Sequence, residues 1–177
     1  MDGQKNITLL LSPESMQAQC VIAIRQARNH SHALATLIAL QSFVTATAQP
    51  SDRDTPAHRA LKEIIEGHAA TLRSQLMNDH ACKLSCAMRS KDCAIITQVH
   101  GDFSRNGFWQ ASQQAILELD AVERDQAKNW ALTWHTEAKS RALAASGYPE
   151  ALNFQKAGIS PQEYAAMADL SDCLQET

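Results

Sequence analysis

Long apolar runs are missing from this chain of 177 residues. The longest apolar-rich stretch, residues 33 to 46, is interrupted by polar side chains and is shorter than the roughly 20 residues that a membrane-spanning helix needs. Near the N-terminus, residues 7 to 11 form an apolar segment that is too short for the core of a signal peptide. We therefore expect a chain with no membrane partner and a cytoplasmic location.

Complete motifs for catalysis or cofactor binding are also missing. The sequence holds no glycine-rich phosphate loop, no His-Glu-x-x-His or Gly-x-Ser-x-Gly motif, no Glu-x-x-His di-iron pair and no zinc-finger spacing. Its 5 cysteines are an odd number without a secretory signal, as expected for reduced thiols in a cytosol-like compartment. We therefore predict no cofactor, and enzymatic activity is the less favoured alternative.

Charge is nearly balanced overall but is unevenly distributed. Residues 1 to 105 carry 11 basic and 9 acidic side chains, whereas residues 106 to 177 carry 5 basic and 10 acidic ones. Phosphate binding needs clustered basic groups, so the acidic C-terminal part argues against nucleic acid as a partner. A local basic cluster of Arg25, Arg28 and His32 is either a solvated helical face or a weak nucleic-acid-binding surface.

Proline is scarce, and three of the 5 prolines directly follow serine or threonine. A hydroxyl at the N-cap with proline at the first helical position is typical of a helix start. Helices are therefore predicted to begin at Pro13, Pro56 and Pro161. Glu163 strengthens the last of these, because it completes a capping box with Ser160.

Helical periodicity extends over the whole chain, and no strand pattern stands out. We predict an all-α, single-domain helical bundle of about five to seven helices that covers residues 1 to 177. Its parts are an N-terminal helical region at 13 to 48 with a kink or tight hairpin near 29 to 32, helices within 56 to 100, a long helix at about 106 to 146, and short C-terminal helices within 149 to 174.

The predicted long helix organises this bundle. Along it, apolar or small side chains recur in alternating steps of four and three residues, which turns one face inward. At about 1.5 Å per residue an unbroken helix of this length spans about 60 Å, so several shorter helices are expected to pack along it. The inward face consists of Phe108, Ser112, Ala115, Leu119, Val122, Gln126, Trp130 and Thr133.

Aromatic residues make up only 5% of the chain, and all three tryptophans fall in the predicted long helix. Trp130 lies on the inward face, whereas Trp109 and Trp134 lie roughly 80° to 100° away, at its edge. Edge tryptophans either complete a core or anchor a partner protein. We favour a non-enzymatic protein-protein interaction or regulatory module that binds another protein, or itself, through these three side chains.

Cysteines form a separate line on the helical region before residue 100. Cys82 and Cys86 are one turn apart and can face the same metal ion, with Cys93 and His100 further along the same line. An interruption at residues 90 to 92 would separate the two pairs. We favour a second buried face, because free cysteine is among the most buried residue types, and keep a metal or redox role for Cys82 and Cys86 as the alternative.

The last candidate site is the segment from residue 100 to 107, which leads into the long helix. A histidine followed by the open backbone N–H groups of a helix start is a common arrangement for binding an anion. His100 is therefore a candidate catalytic base, and Arg105, Asn106 and Gly107 are candidate anion-binding residues. The alternative is that Asp102 or Ser104 simply caps the helix.

This segment resembles the core motif of the Fic family of nucleotidyl transferases, which is H-P-F-x-(D/E)-G-N-G-R on an all-helical fold. His100, Asn106 and Gly107 match in spacing, which implies a general-base role for His100 and a nucleotide-handling function. The departures are Phe103, displaced by one position, Ser104 in place of the metal-binding acid, Arg105 in place of a glycine and Phe108 in place of the anion-holding arginine. They imply a degenerate, inactive relative.

Overall fold

The computed structural model describes residues 12–48, 51, 53, 55–149 and 151–177. Within these residues, helix is the only regular secondary structure, which confirms the predicted all-α class. The chain divides into two compact units, Met1–Leu76 and Met77–Thr177. The predicted single domain stays a prediction. The helices are α1 (Pro13–Gln26), α2 (His30–Thr47), α3 (Pro56–Ser90), α4 (Cys93–Asp102), α5 (Arg105–Leu117), α6 (Ala121–Ser146), α7 (Phe154–Ala157) and α8 (Pro161–Glu176).

The first unit contains α1, α2 and the first part of α3. Helix α1 begins as predicted, with the Ser12 side chain accepting a hydrogen bond from the N–H of Ser15. At the predicted kink or tight hairpin near residues 29 to 32 the helix breaks completely, and Asn29 caps α2 by accepting from the N–H of His32 at 2.8 Å. Helices α1 and α2 pack on each other. The buried core of this unit consists of Met16, Cys20, Ala33, Leu37, Val44, Leu61, Ile65, Ala69 and Leu72.

Helix α3 runs without interruption for 35 residues and ends at Ser90. Its end is a Schellman-type turn, in which the N–H of Asp92 donates to the carbonyl of Ala87 at 2.9 Å. Lys91 occupies the left-handed position of this turn, with a φ of 57°. The predicted interruption at residues 90 to 92 is confirmed, and it places Cys93 on a separate helix from Cys86.

Replacing Lys91 with glycine is expected to stabilise the second unit by about 0.5 to 1 kcal/mol. The left-handed conformation costs an L-residue roughly 1 to 2 kcal/mol, and the larger entropy loss of glycine offsets part of that gain. The matched control is Lys83→Gly in the interior of α3, where the same change should destabilise by about 1 kcal/mol. Chemical denaturation followed by circular dichroism measures both effects, and equal signs for the two variants would contradict the prediction.

The second unit contains the rest of α3 together with α4 to α8. Its core is built mainly from α3, α4, α5 and α8, and α8 contacts α4, α5 and α6. Helix α8 begins at Pro161 as predicted, where Ser160 accepts a hydrogen bond from the N–H of Glu163. The largest fully buried side chains of this unit are Leu84, Met88, Ile96, Phe108, Ile116, Met167, Leu170 and Leu174.

The long helix predicted at 106 to 146 is wrong as one element, because the chain breaks at residues 118 to 120 into α5 and α6. Asp120 starts α6 with a capping box: its carboxylate accepts from the N–H of Glu123 at 2.8 Å, and Glu123 accepts from the N–H of Asp120 at 3.1 Å. Arg89 fixes the corner by donating to the carbonyl of Glu118 at 2.8 Å. This break raises the number of helices in the described residues to eight, above the predicted range.

The predicted inward face is correct in α5 and mostly wrong in α6, where Trp130 alone of the predicted residues packs partly against the core. Phe108, Ser112 and Ala115 are buried, whereas Val122, Gln126 and Thr133 are exposed. The break changes the rotational phase, so the four-three rhythm does not continue from one helix to the next. The buried face of α6 consists of Ala127, Ala131, Ala138 and Ala142. These small side chains allow α8, the main packing partner of α6, to approach closely.

None of the helices seen in the described residues combines the length and the apolar content that a bilayer crossing requires.

Candidate functional site

An open groove of about 530 Å³ runs along the outer edge of α6. Trp130 and Trp134 form its apolar part, and both side chains are partly buried against the core of the second unit. The remaining lining is polar and consists of Lys91, Gln126, Asn129, Thr133 and Glu137. The groove therefore presents two tryptophan side chains that pack against the core and are surrounded by polar residues.

The charges of the groove lining are few and opposite. Lys91 and Glu137 are its only charged residues among those described, and both are exposed. Lys91 projects from the left-handed turn after α3, whereas Glu137 lies within α6. The two charges therefore lie on different elements. The Schellman turn after α3 positions Lys91, and the packing of the alanine face of α6 positions Glu137.

Trp109 does not belong to this groove. It lies on α5, where it lines a separate cavity of about 290 Å³ with Arg105 and Asn106. Its ring is partly buried against the core, and its carbonyl accepts a weak hydrogen bond from the Cys173 thiol at 4.0 Å. The structure therefore brings together two of the three predicted partner-binding tryptophans and places the third elsewhere.

His100 is held by an acidic residue from α8. Its Nε2 lies 2.9 Å from Oδ2 of Asp169, and its ring packs edge-on against Phe108 with centroids 4.6 Å apart. The other oxygen of Asp169 pairs with Nε of Arg105 at 3.2 Å. Asp169 therefore joins the candidate base to the candidate anion-binding arginine. The sequence did not indicate Asp169, because it is 69 residues away from His100 along the chain.

Asp169 can orient His100, but its carboxylate already occupies the position that an anionic ligand would take. Asp169 is mostly buried and supplies the negative charge that Arg105 and His100 face. An anionic ligand there would have to displace this carboxylate or bear its repulsion. The geometry is that of a link between α8 and the start of α5.

Gly107 leaves the space that the ring of Phe103 occupies. A Cβ at this position would lie 2.8 Å from Cδ1 of Phe103, closer than real Cβ contacts. Phe103 in turn packs edge-on against His80, whose Nε2 lies 3.2 Å from Oδ2 of Asp102. Asp102 therefore binds a histidine instead of capping α5. Ser104 occupies the N-cap position of α5 without a side-chain hydrogen bond to it.

No family model, curated protein or solved structure matches the chain. The likeness of residues 100 to 107 to the Fic core motif thus rests on His100, Asn106 and Gly107 alone, and Gly107 is already explained by its contact with Phe103.

The prediction that Cys82 and Cys86 line a buried face is wrong, because both side chains are exposed. The covered side of α3 at this level is formed by Ala81, Leu84 and Met88. Cys93 is partly buried on α4, where burial raises the pKa of its thiol to about 11. The cysteine line is therefore divided into an exposed pair on α3 and a separate, partly buried cysteine on α4.

The basic cluster of the first unit lies around the break between α1 and α2. Arg25, Arg28 and His32 are all exposed, and the N–H of Arg28 donates to Nδ1 of His32 at 3.3 Å. Three residues at one helix junction make a small basic area, well short of the multiple phosphate contacts of a nucleic-acid interface. The solvated-face interpretation of this cluster accounts for the geometry.

Proposed function

We propose that this chain is a non-enzymatic helical interaction module whose Trp130–Trp134 groove packs against the same groove of a second copy of the chain. The observation that carries the proposal is the pair of tryptophans, held against the core yet open to a groove of about 530 Å³. A cytoplasmic location belongs to the proposal, because all five cysteines are free thiols.

Tryptophan in such a position is the residue type that contributes most to protein interfaces. Hot spots are enriched in tryptophan and lie inside a ring of energetically neutral contacts that excludes water. In this groove the amides of Gln126 and Asn129 and the hydroxyl of Thr133 supply such a polar rim. Anchoring by the core also lowers the entropy that the rings lose when a partner binds.

The charge pattern favours a second copy over an unrelated partner. In a two-fold interface the same surface of each copy meets the other, so the surface must complement itself. A groove with one positive residue, Lys91, and one negative residue, Glu137, meets this condition, because each can face its opposite on the other copy. A partner of uniform charge would leave one of the two unpaired.

The main alternative, a nucleotide-handling site at residues 100 to 107, has less support. Asp169 already pairs with both His100 and Arg105. A nucleotide titration of the wild-type chain, followed by protein fluorescence, distinguishes this alternative from the proposed function. Saturable binding that Arg105→Ala abolishes would favour the nucleotide site.

Substitution of Thr133 by arginine is expected to weaken self-association at least about tenfold, equivalent to about 1.4 kcal/mol. Thr133 is exposed, so the change places a long charged side chain in the groove without disturbing the core. Thr136→Arg is the matched control, because Thr136 is an exposed residue of the same helix outside the groove lining. Sedimentation velocity over a range of concentrations measures the dimerisation constant of each chain.

A charge exchange tests the two-fold arrangement itself. Lys91→Glu and Glu137→Lys should each weaken the dimer, since each puts like charges opposite each other, and the double variant should recover most of the lost affinity. If the wild-type chain is monomeric at every concentration, or if Thr133→Arg and Thr136→Arg behave alike, the groove does not mediate self-association.

A further inference from the structure

Two cysteine thiols lie side by side on the exposed surface of α3. Cys82 and Cys86 are both exposed, although free cysteine is among the residue types most often buried. They are four residues apart in an uninterrupted helix, which places their Cβ atoms about 5 to 6 Å apart on one face. Core packing therefore does not account for this pair.

The two thiols are placed to share one positively charged ligand, because residues four apart on a continuous helix lie next to each other on its surface. Metal ions bind cysteine as the thiolate, so such a ligand replaces the two thiol protons.

A disulfide fits this spacing poorly. It needs Cβ atoms about 3.5 to 4.5 Å apart, closer than one helical turn provides. An ion between the sulfurs fits better, because at metal–sulfur distances of about 2.3 Å two opposed sulfurs are about 4.6 Å apart. The geometry of α3 thus favours a bridging ion over a direct sulfur–sulfur bond.

The number of ligands restricts which ion can bind. Within the described part of the chain, no group of three His, Cys, Asp or Glu side chains is placed to hold a metal ion. Structural zinc takes four protein ligands, so two thiolates are a poor zinc site. Soft thiolate ligands favour monovalent copper, which is stable with two sulfur ligands on opposite sides.

We infer that Cys82 and Cys86 form a two-coordinate site for a soft monovalent ion, with Cu(I) as the biological representative. Binding forms two copper–sulfur bonds and releases the two thiol protons to solvent, while copper keeps its +1 charge. The bis-thiolate complex then carries one negative charge. Arg89 follows Cys86 after about one turn of α3 and places a positive charge near the site.

Neighbouring side chains hold this part of α3 in place. The hydroxyl of Ser85, between the two cysteines, donates to Oε2 of Glu118 at 2.6 Å. Arg89 donates to Oε1 of Glu123 at 3.0 Å. Both contacts connect α3 to the corner between α5 and α6, so the pair projects from a fixed helical face.

The test is a titration of the reduced, full-length chain with Cu(I) in the absence of oxygen, in competition with a chromogenic Cu(I) chelator. We expect wild type to withdraw one equivalent of Cu(I). Cys82→Ser and Cys86→Ser should each lose affinity by about 100-fold or more, because a single thiolate lacks the high effective concentration of its neighbour. Cys93→Ser is the control and should match wild type.

Three outcomes would overturn the inference. Wild type could fail to compete with the chelator, either serine variant could keep wild-type affinity, or the Cys93→Ser variant could lose as much affinity as the other two. A parallel titration with Zn(II) checks the coordination number, since zinc binding as tight as copper binding would contradict a two-coordinate site. Circular dichroism of each variant verifies that the helices are intact. We expect no loss of helix in the Cys82→Ser and Cys86→Ser variants, because both side chains are exposed.

Discussion

Phe108→Ala is expected to destabilise the second unit by about 3 to 5 kcal/mol, which is a large part of the stability of a small domain. Phe108 is fully buried in the core, and its ring also supports His100 through an edge-on contact at 4.6 Å. Removing the ring loses its transfer free energy and leaves a cavity that rigid helices can fill only in part. Thermal and chemical denaturation measure the loss.

The matched control is Phe43→Ala on α2. Phe43 is 57% exposed, so the same chemical change removes little buried surface and should alter stability by about 0.5 kcal/mol or less. A large loss of stability at Phe43 together with a small one at Phe108 would contradict the prediction, because it would mean that Phe43 is the buried ring and Phe108 the exposed one.

Ala131→Leu is expected to destabilise the second unit by about 1 to 3 kcal/mol, although leucine is a good helix former and more hydrophobic than alanine. Ala131 is fully buried on the alanine face of α6. Three additional carbons must push neighbouring helices apart, since close-packed interiors hold few voids of that size. The same denaturation experiments apply.

Ala144→Leu serves as the control for this second change. Ala144 is exposed on the same helix, so its replacement changes helix propensity and surface but meets no packing restriction. Its effect should be close to zero, and an equal loss at both positions would indicate that helix propensity, not packing, determines the result.

Local signals explain what could be predicted from the sequence. Ser12, Thr55 and Ser160 precede proline, and helices begin directly after each of them. Capping depends on a few neighbouring residues, so it can be recognised without knowledge of the tertiary structure. The all-α class follows from the same local information.

The break at residues 118 to 120 shows how one pattern can hide another. Asp120 and Glu123 have the spacing of a capping box, and this signal was present in the sequence. The four-three rhythm of apolar residues continued across it by coincidence. Burial in the structure follows the cap, because a helix start resets the rotational phase of every later residue.

The candidate sites depended on information that is not local. Periodicity predicts that Cys82 and Cys86 share a face, but which face is covered depends on α4, α5 and α8. In the same way, nothing near His100 in the sequence indicates Asp169, which α8 supplies. Periodicity places Trp109 and Trp130 on one helix, whereas the structure places them on α5 and α6, where they line different cavities.

The contact between Gly107 and Phe103 also affects how relatives of this chain should be compared. A glycine kept at this position across relatives would report the space that the Phe103 ring occupies, whatever chemistry the neighbouring segment performs. Covariation of His100 with Asp169 would be more informative. If the two residues change together, their contact is itself under selection. A glycine at this position is therefore weak evidence that two proteins share the same chemistry.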